Sequence, residues 1–198
     1  MIELKENNNF FVFTGGPGCG KTTLLNELER RGYKVIQEIA RDIIIKEQKN
    51  NGEALPWKNT GLYKDLMFEK SVESYLQIEE NIGGKNPILF DRGFLDSISY
   101  ARLIKSSVNI EMITYANKWK YNKNVFVLPP WKEIYETDNE RKQDWKEAVL
   151  THHEVIKTYK EYNYNIIEVP KNSVKGRADF VIDKIRTHNN NFETYNIY

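Results

Sequence analysis

Short apolar runs alternate along the chain with longer stretches in which apolar residues recur every three or four positions. Runs of the first kind are typical of buried strands, and they occur at Phe10–Thr14, "YKVIQE", "PILFDRG", "NVFVLPP" and "NYNIIEVP". Stretches of the second kind predict helices, and they occur at Thr22–Arg31, "ARDIIIKEQKN", Gly61–Asn81, Leu95–Ile104, Glu140–Tyr159 and from Val174 onward, with Ser173 as N-cap. Strands that alternate with helices predict an α/β fold in which helices cover both faces of a parallel sheet.

The length of the chain fits one domain. At 198 residues, we expect a single unit with a small inserted lid, over about 131–160, and a polar C-terminal tail of unassigned role over 187–198. No stretch repeats within the sequence, so repeat architectures are not indicated.

Composition and charge restrict the class of protein. Hydrophobic residues make up 40% and charged residues 29%, which is typical of a folded globular protein. Because the net charge is only +1, no overall field attracts nucleic acid, and we expect nucleic acid not to be a partner. The single Cys19 excludes an internal disulfide and a zinc site built from cysteines. The first ten residues lack the apolar core of a signal peptide, and no run is long enough to span a bilayer, so we expect a cytoplasmic protein without membrane contact.

The glycine-rich segment between the first strand and the first helix carries the clearest chemical signal. It reads "GGPGCGKT" and satisfies the pattern G-x-x-x-x-G-K-[ST], in the strand-then-helix context that the pattern requires. Glycines let successive backbone N–H groups turn toward an anion at a helix N-terminus. We therefore predict a polyphosphate site made by Gly15, Gly16, Pro17, Gly18, Cys19, Gly20, Lys21, Thr22 and Thr23. Lys21 would reach the β- and γ-phosphates, and the Thr22 hydroxyl would ligate Mg²⁺.

An acidic residue ends the third strand. Asp91 in "ILFDRG" stands where phosphate-loop proteins carry the carboxylate that holds Mg²⁺ directly or through water. The alternative is that Asp91 caps the following helix. Arg92 and Asp96 follow closely. In a small kinase, an arginine at the position of Arg92 can face the transferred phosphoryl group or the acceptor.

Glu38 and Arg41 end the second strand in "QEIAR". The carboxyl ends of parallel strands surround the ligand crevice of an open α/β sheet. This placement favours a role for Glu38 in an acceptor pocket. The alternative is an acidic residue at a helix start, beside an exposed arginine.

A charged run follows "VLPPW". The run "ETDNERKQDWKE" lies where a small kinase has its lid, and Arg141 is its best candidate to enter the site. The alternative is a solvated face of a helix, which is the usual role of such runs.

With these motifs in place, the chain resembles a known family. It is similar to the AAA-type ATPases grouped with the nicotinamide riboside kinase domain of a bacterial NAD-biosynthesis regulator and with an animal GTP-binding trafficking protein. The resemblance covers about residues 10–185, and it rests on "TGGPGCGKTTLL", "QEIARDII", "LPW", "FDRGFLDSISYARL", "LPPWKEIYETDNERKQDW" and "VPKNSVKGRADFV".

The resemblance implies a nucleotide-kinase-type P-loop fold with five parallel strands in the order 2-3-1-4-5 and a helical lid. It also implies that ATP or GTP binds with Mg²⁺. By position, Asp91 would serve the metal, Arg141 would belong to the lid, and the loop at Val169–Pro170 would lie near the base.

Two classes of function remain open, with a third less favoured. The first is a kinase that transfers the γ-phosphoryl group to a hydroxyl of a small molecule or nucleoside, with Lys21, Glu38, Asp91, Arg92 and Arg141 as catalytic residues. The second is a switch or ATPase that binds a protein partner according to its nucleotide state. The third is a 5′-end kinase of nucleic acid, which the near-neutral charge disfavours.

Overall fold

The computed structural model describes residues 2–82, 86–135 and 144–195, and side chains over 2–81, 86–135 and 144–187. Five strands form one parallel sheet: β1 (Phe10–Gly15), β2 (Lys34–Ile36), β3 (Ile88–Asp91), β4 (Asn124–Leu128) and β5 (Asn165–Glu168). Their spatial order is β2-β3-β1-β4-β5, which is the expected order. In register, Phe13 lies opposite Asp91 on one side and Phe126 on the other.

In the described residues, seven α-helices connect and cover the strands. They are α1 (Lys21–Arg30), α2 (Ile39–Lys49), α3 (Thr60–Ile82), α4 (Phe94–Leu103), α5 (Ile110–Lys118), α6 (Trp145–Glu161) and α7 (Val174–Tyr195). None of the helices in the described ranges has an apolar stretch of the length that a bilayer span requires.

Alternate residues of the central strand build two separate cores. Phe10 and Val12 face a cluster contributed by α3, α4, α5 and α6, whereas Phe11 and Phe13 face a cluster contributed by α1 and α7. The period of two residues explains this division, because successive side chains of a strand point to opposite faces of the sheet. The prediction of a sheet covered on both faces is therefore confirmed.

The helix boundaries agree with the sequence signals, with two corrections. Ser173 caps α7, since its Oγ accepts the N–H of Gly176 at 3.1 Å. The helix expected from Glu140 begins at Trp145 instead, because Asp144 and Glu147 form a reciprocal capping box at its start. Helix α7 continues to Tyr195, so most of the segment expected to be a tail is helical.

Helix α5 and a small pair of strands had not been predicted. Asn109 accepts the N–H of Met112 at 2.8 Å and so caps α5, with Glu111 in the first turn. This cap signal was present in the sequence. The strands Lys5–Glu6 and Trp119–Lys120 pair in parallel, which no local pattern of two residues could indicate.

The expected lid falls partly on described residues. Val155 and Tyr159, in the second half of α6, belong to the main core, so that half packs as part of the domain body. Arg141 and the residues around it, 136–143, lie outside the described residues. The extent of the lid and the role of Arg141 therefore stay predictions.

Candidate phosphate-binding and acceptor site

The glycine-rich segment forms a tight loop between β1 and α1. Gly18 and Gly20 have φ values of +72° and +77°, in the left-handed region that favours glycine. A Cβ at Gly18 would also lie 2.5 Å from the ring of Tyr135. Gly20 is the N-cap of α1. Because glycine has no side chain, no capping side chain from this position covers the first N–H groups of the helix. This conformation suits the predicted anion site, because it lets backbone N–H groups turn toward one point; residues 15–20 are called the phosphate loop below.

Lys21 and the two threonines begin α1. Lys21 is buried, and its Nζ contacts Asp91 Oδ1 and lies 3.8 Å from Glu38 Oε2. Thr22 and Thr23 are exposed, and no hydrogen bond of the Thr22 hydroxyl to another side chain is found in the described part of the chain. The ammonium thus meets two carboxylates where a polyphosphate would place its charge.

The ends of three neighbouring strands bring the predicted acids and Arg92 together. Arg92 Nε donates to Glu38 Oε1 at 2.7 Å, and its Nη1 donates to the Gly15 carbonyl and to Asp96 Oδ1, both at 3.1 Å. Burial lowers the pKa of the guanidinium, but the charges of Glu38 and Asp96 outweigh that effect and raise it. Arg92 therefore remains a cation that ties the second strand's acid to the phosphate loop.

The backbone of Arg92 is held in an unusual conformation. Its φ is +70°, a value that non-glycine residues seldom adopt. Its N–H donates to the Phe13 carbonyl at 2.9 Å, which extends the contact between β1 and β3 one residue beyond the end of β3. Such conformations are retained where the surroundings dictate them, and they are concentrated at functional sites.

Asp96 is a buried carboxylate that bonds to Arg92 and to three further donors. Oδ1 accepts the Thr14 hydroxyl at 2.5 Å as well as Arg92, and Oδ2 accepts the Tyr159 hydroxyl at 2.7 Å and the Gly93 N–H at 3.0 Å. Burial and the Asp96 charge raise the pKa of Tyr159 well above its usual value, so the phenol stays a donor. The sequence predicts that Asp96 lies near the site, but it does not indicate this task.

The carboxylate of Asp96 is expected to be essential for stability. An Asn at this position keeps the shape, but it replaces one acceptor oxygen by an N–H₂ group that faces donors. We expect Asp96→Asn to lower the free energy of unfolding by about 1–3 kcal/mol, measured by chemical denaturation. The control Asp42→Asn changes an exposed carboxylate of α2, and equal effects of the two changes would contradict this role.

The geometry distinguishes between the functional and the capping interpretations of Asp91 and Glu38. Helix α4 has Gly93 as its N-cap, and Asp96 bonds to the Gly93 N–H, so Asp91 does not cap this helix. Glu38 does occupy the N-cap position of α2, but it makes no side-chain capping bond. Its carboxylate turns instead toward Arg92 and Lys21. Arg41 lies exposed on α2.

A cleft opens beside Glu38, between the sheet edge and helices α2, α3 and α4. Its walls combine apolar groups with hydroxyls and an amide, and the lining residues include Ile36, Gln37, Met67, Ser71, Phe90 and Tyr121. Ser97 also lines the cleft, and its buried Oγ has no hydrogen-bond partner in the described part of the chain. Buried polar atoms are nearly always paired, so this hydroxyl is suited to a polar group of a ligand.

The expected base-side residue lies on the other side of the phosphate loop. Pro170 lines a small second cleft together with Cys19, Leu128 and Trp131. Cys19 is a buried member of the core cluster under α1, in agreement with the structural role that a small loop residue would have. The loop therefore separates two clefts, one at Glu38 and one at Pro170.

The residues present suit Mg²⁺. A carboxylate at Asp91 and a hydroxyl at Thr22 are hard oxygen ligands, and Mg²⁺ is usually held by one or two such groups together with phosphate and water. In the described residues, no group of three or more His, Cys, Asp or Glu side chains could hold a metal by itself. With two protein oxygens, this donor set fits a metal whose remaining ligands are phosphate and water.

Comparison with solved structures supports the fold. Deoxyadenosine kinase from M. mycoides with bound dATP superposes with a TM-score of 0.64 at 18% identity, over 89% of this chain and 99% of that chain. Thymidylate kinase from Ehrlichia chaffeensis gives a TM-score of 0.57 at 13% identity, over 91% and 99%. The NadR protein in complex with NR gives 0.64 at 18% identity, over 90% of this chain and 51% of that chain.

The family is shown by the sequence itself. No curated protein matches the chain, but the model of the AAA domain family matches residues 10–177. This range begins with β1, includes the phosphate loop and the network around Arg92, and ends in the first turn of α7. The chain therefore belongs to the AAA domain family, with an α/β fold of the nucleotide-kinase type.

Proposed function

We propose that this protein is a kinase that transfers the γ-phosphoryl group of ATP or GTP to a hydroxyl of a small, nucleoside-type acceptor. The observation that carries the proposal is the position of Glu38. Its carboxylate is bonded to Arg92 and lies 3.8 Å from the Lys21 ammonium. It also lines a cleft that is distinct from the cleft at Pro170. A carboxylate between the phosphate loop and a cleft is where a base is needed for phosphoryl transfer.

The nature of the cleft supports a nucleoside-type acceptor. Phe90, Tyr121 and Met67 offer flat and adaptable apolar surface, while Gln37 and Ser97 offer hydrogen bonds to the edge of a ring or to a sugar. The similar folds named above are described as deoxyadenosine kinase, thymidylate kinase and NadR with NR. Each of these descriptions names a nucleoside, a nucleotide or NR.

The chemistry assigns a role to each residue. Glu38 accepts the proton of the acceptor hydroxyl as its oxygen bonds to the γ-phosphorus, and the bond from the γ-phosphorus to the bridging oxygen breaks. The nucleoside diphosphate leaves with the electron pair of that bond. Lys21 and Arg92 offset the negative charge on the phosphoryl oxygens, and the loop N–H groups hold the phosphates in place. Thr22 and Asp91 would hold Mg²⁺, which supplies further neutralisation of charge when bound.

A screen for an added thermal shift tests the proposal. A nonhydrolysable ATP analogue with Mg²⁺ is crossed with nucleosides, deoxynucleosides and nucleoside monophosphates, and a true acceptor should raise the Tm beyond the shift given by the analogue. Hits are then incubated with ATP, and mass spectrometry should show the acceptor with one added phosphoryl group. A protein that hydrolyses ATP only when a protein partner is present, and phosphorylates no compound in the screen, would be a switch instead.

A substitution at Asp91 can distinguish a role in binding Mg²⁺ from a role limited to the ion pair with Lys21. We expect Asp91→Asn to reduce the gain in ATP affinity that Mg²⁺ provides by about 10-fold, in the range for lost metal-site partners. Without Mg²⁺, ATP affinity should be unchanged or higher, because Lys21 is no longer held by a carboxylate. Calorimetric titrations with Mg²⁺ and with EDTA measure both quantities. Asp42→Asn is the control, and an equal Mg²⁺ dependence in all three proteins would remove Asp91 from the metal site.

A further inference from the structure

A buried arginine bonds to the residue that joins the phosphate loop to α1. Arg177, in the first turn of α7, is 4% exposed. Its Nη1 donates to the Gly20 carbonyl at 3.2 Å, and the Leu24 N–H donates to the same carbonyl, also at 3.2 Å. Gly20 is the N-cap of α1 and has a φ of +77°. The bond from Arg177 therefore lies where the chain turns from the loop into the helix.

The surroundings of Arg177 place it against the protein rather than against a ligand. Its guanidinium carbon lies 5.5 Å from the centroid of the Trp131 ring. A Cβ at Gly20 would lie 2.9 Å from Nη1, so the absence of a side chain there permits this close approach. The cleft at Pro170, which Arg177 lines, leaves no free space that could hold a water molecule. Arg177 is thus placed to act on the loop and not to touch a bound nucleotide.

The bond to the Gly20 carbonyl fixes the direction of the N–H group that follows it. A peptide group is planar and trans, so its C=O and its N–H point in opposite directions. Because the Gly20 carbonyl is held toward Leu24 and Arg177, the Lys21 N–H points the other way, out of the N-terminus of α1. Backbone N–H groups at the start of a helix are the ones that bind anions.

The charge of Arg177 acts on the same peptide group. Hydrogen bonds polarise one another, so a cation on the carbonyl makes the N–H of that peptide a stronger donor. In the described part of the chain, no carboxylate pairs with Arg177, and its Nε has no hydrogen-bond partner. A buried charge is costly unless it is compensated, and a polyphosphate in the loop would supply the missing negative charge.

The other end of the loop has a contact of the same type. Arg92 Nη1 donates to the Gly15 carbonyl at 3.1 Å, so a guanidinium bonds to each end of the loop. We propose that Arg177 is a positioning residue, which orients the peptide between Gly20 and Lys21 for binding the phosphates without contacting the ligand itself. This inference rests on the proposed binding of a nucleoside triphosphate.

The experiment uses one ligand with a nucleoside and one without. ATP and inorganic tripolyphosphate, each with Mg²⁺, are titrated into the wild type, Arg177→Met and Arg177→Lys. We expect both ligands to bind about 10-fold more weakly to Arg177→Met, which is the scale for losing one hydrogen bond to a charged group. Lysine keeps the charge and a single donor group. Arg177→Lys should therefore bind both ligands more tightly than Arg177→Met but less tightly than the wild type.

Val181→Ala is the control for a general loss of stability. Val181 is fully buried in the same helix, in the core cluster that α7 shares with α1. Its truncation should lower the free energy of unfolding but leave both affinities unchanged. Titrations are made at a temperature at which denaturation curves show each variant to be folded. Where Arg177→Met does not fold, the comparison of Arg177→Lys with Val181→Ala decides the question.

The possible results distinguish this inference from the proposed function. Wild-type affinity in the Arg177 variants would overturn it, and so would an equal loss of affinity in Val181→Ala. A loss confined to ATP would show that Arg177 acts on the nucleoside instead of the loop. An affinity of Arg177→Lys no higher than that of Arg177→Met would contradict the role of a charged donor on the carbonyl. If the wild type binds neither ligand, the proposed function itself is wrong.

Discussion

Lys21→Met is expected to lower the rate of phosphoryl transfer by about 10²–10³-fold, the loss typical for one preorganised group that stabilises developing charge. The ammonium begins α1 directly after the glycine-rich loop, and it is buried between the carboxylates of Asp91 and Glu38. A triphosphate in the loop would replace these carboxylates as its partner. Met keeps most of the volume, so the effect reports the lost charge rather than a cavity.

The same change also alters the stability of the folded protein. Without the ammonium, Arg92 is the cation that bonds to Glu38, and Asp91 is left buried without the contact that it has in the wild type. We expect the free energy of unfolding to fall by about 1–3 kcal/mol. Rates are therefore compared at a temperature at which denaturation curves show the variant to be folded. Lys46→Met, on the exposed side of α2, should behave as the wild type, and normal transfer by Lys21→Met would contradict the phosphate-loop interpretation.

The strands and the loop could be predicted because their signals are local. Six consecutive apolar or small residues at Phe10–Gly15, followed by three more glycines, one proline and a lysine, allow few other structures. The capping role of Ser173 was predictable for the same reason, since the cap and the N–H that it accepts are three residues apart. Local chemistry of this kind is present in the sequence whatever the rest of the chain does.

The network around Asp96 could not be predicted in this way. Thr14 and Tyr159, two of its donors, are 82 and 63 residues away along the chain. The sheet order places β1 beside β3, and the packing of α6 on α4 then brings Tyr159 to the carboxylate. An aspartate three residues after a glycine resembles an ordinary helix start, and only the fold shows that the same oxygens also hold Arg92.

Arg177 illustrates a further limit of sequence reasoning. In "VKGRADFV" it looks like an exposed arginine near the start of an amphipathic helix, and nothing in its neighbours predicts burial. Its Nη1 donates to the Gly20 carbonyl, 157 positions away along the chain, and the Trp131 ring, 5.5 Å from its guanidinium carbon, lies in the segment after β4. The expected position of Pro170 near the base came from the resemblance, whereas the cation beside it is visible only in the structure.

Glu38→Gln is expected to lower transfer to the acceptor by about 10²–10⁴-fold, the usual contribution of a positioned general base. Glutamine keeps an oxygen that can accept the N–H of Arg92, which now lies at 2.7 Å from Glu38 Oε1, so the arrangement of the site should be retained. What is lost is the ability to take a proton. Because the side chain lies toward the acceptor cleft, ATP affinity should stay within about 2-fold, and the loss should appear in kcat rather than in KM for ATP.

The measurement combines calorimetric ATP affinity with the rate of transfer to the acceptor found by the screen. Glu29→Gln is the matched control, since it changes an exposed carboxylate of α1. The two functions differ sharply here, because a nucleotide-dependent switch has no acceptor hydroxyl to deprotonate and should tolerate Glu38→Gln in both assays. Transfer by Glu38→Gln at the wild-type rate would leave Glu38 only the role of holding Arg92 in place. A loss of ATP affinity as large as the loss of transfer would place the carboxylate's effect on the phosphate loop, through Lys21 and Arg92, rather than on the acceptor.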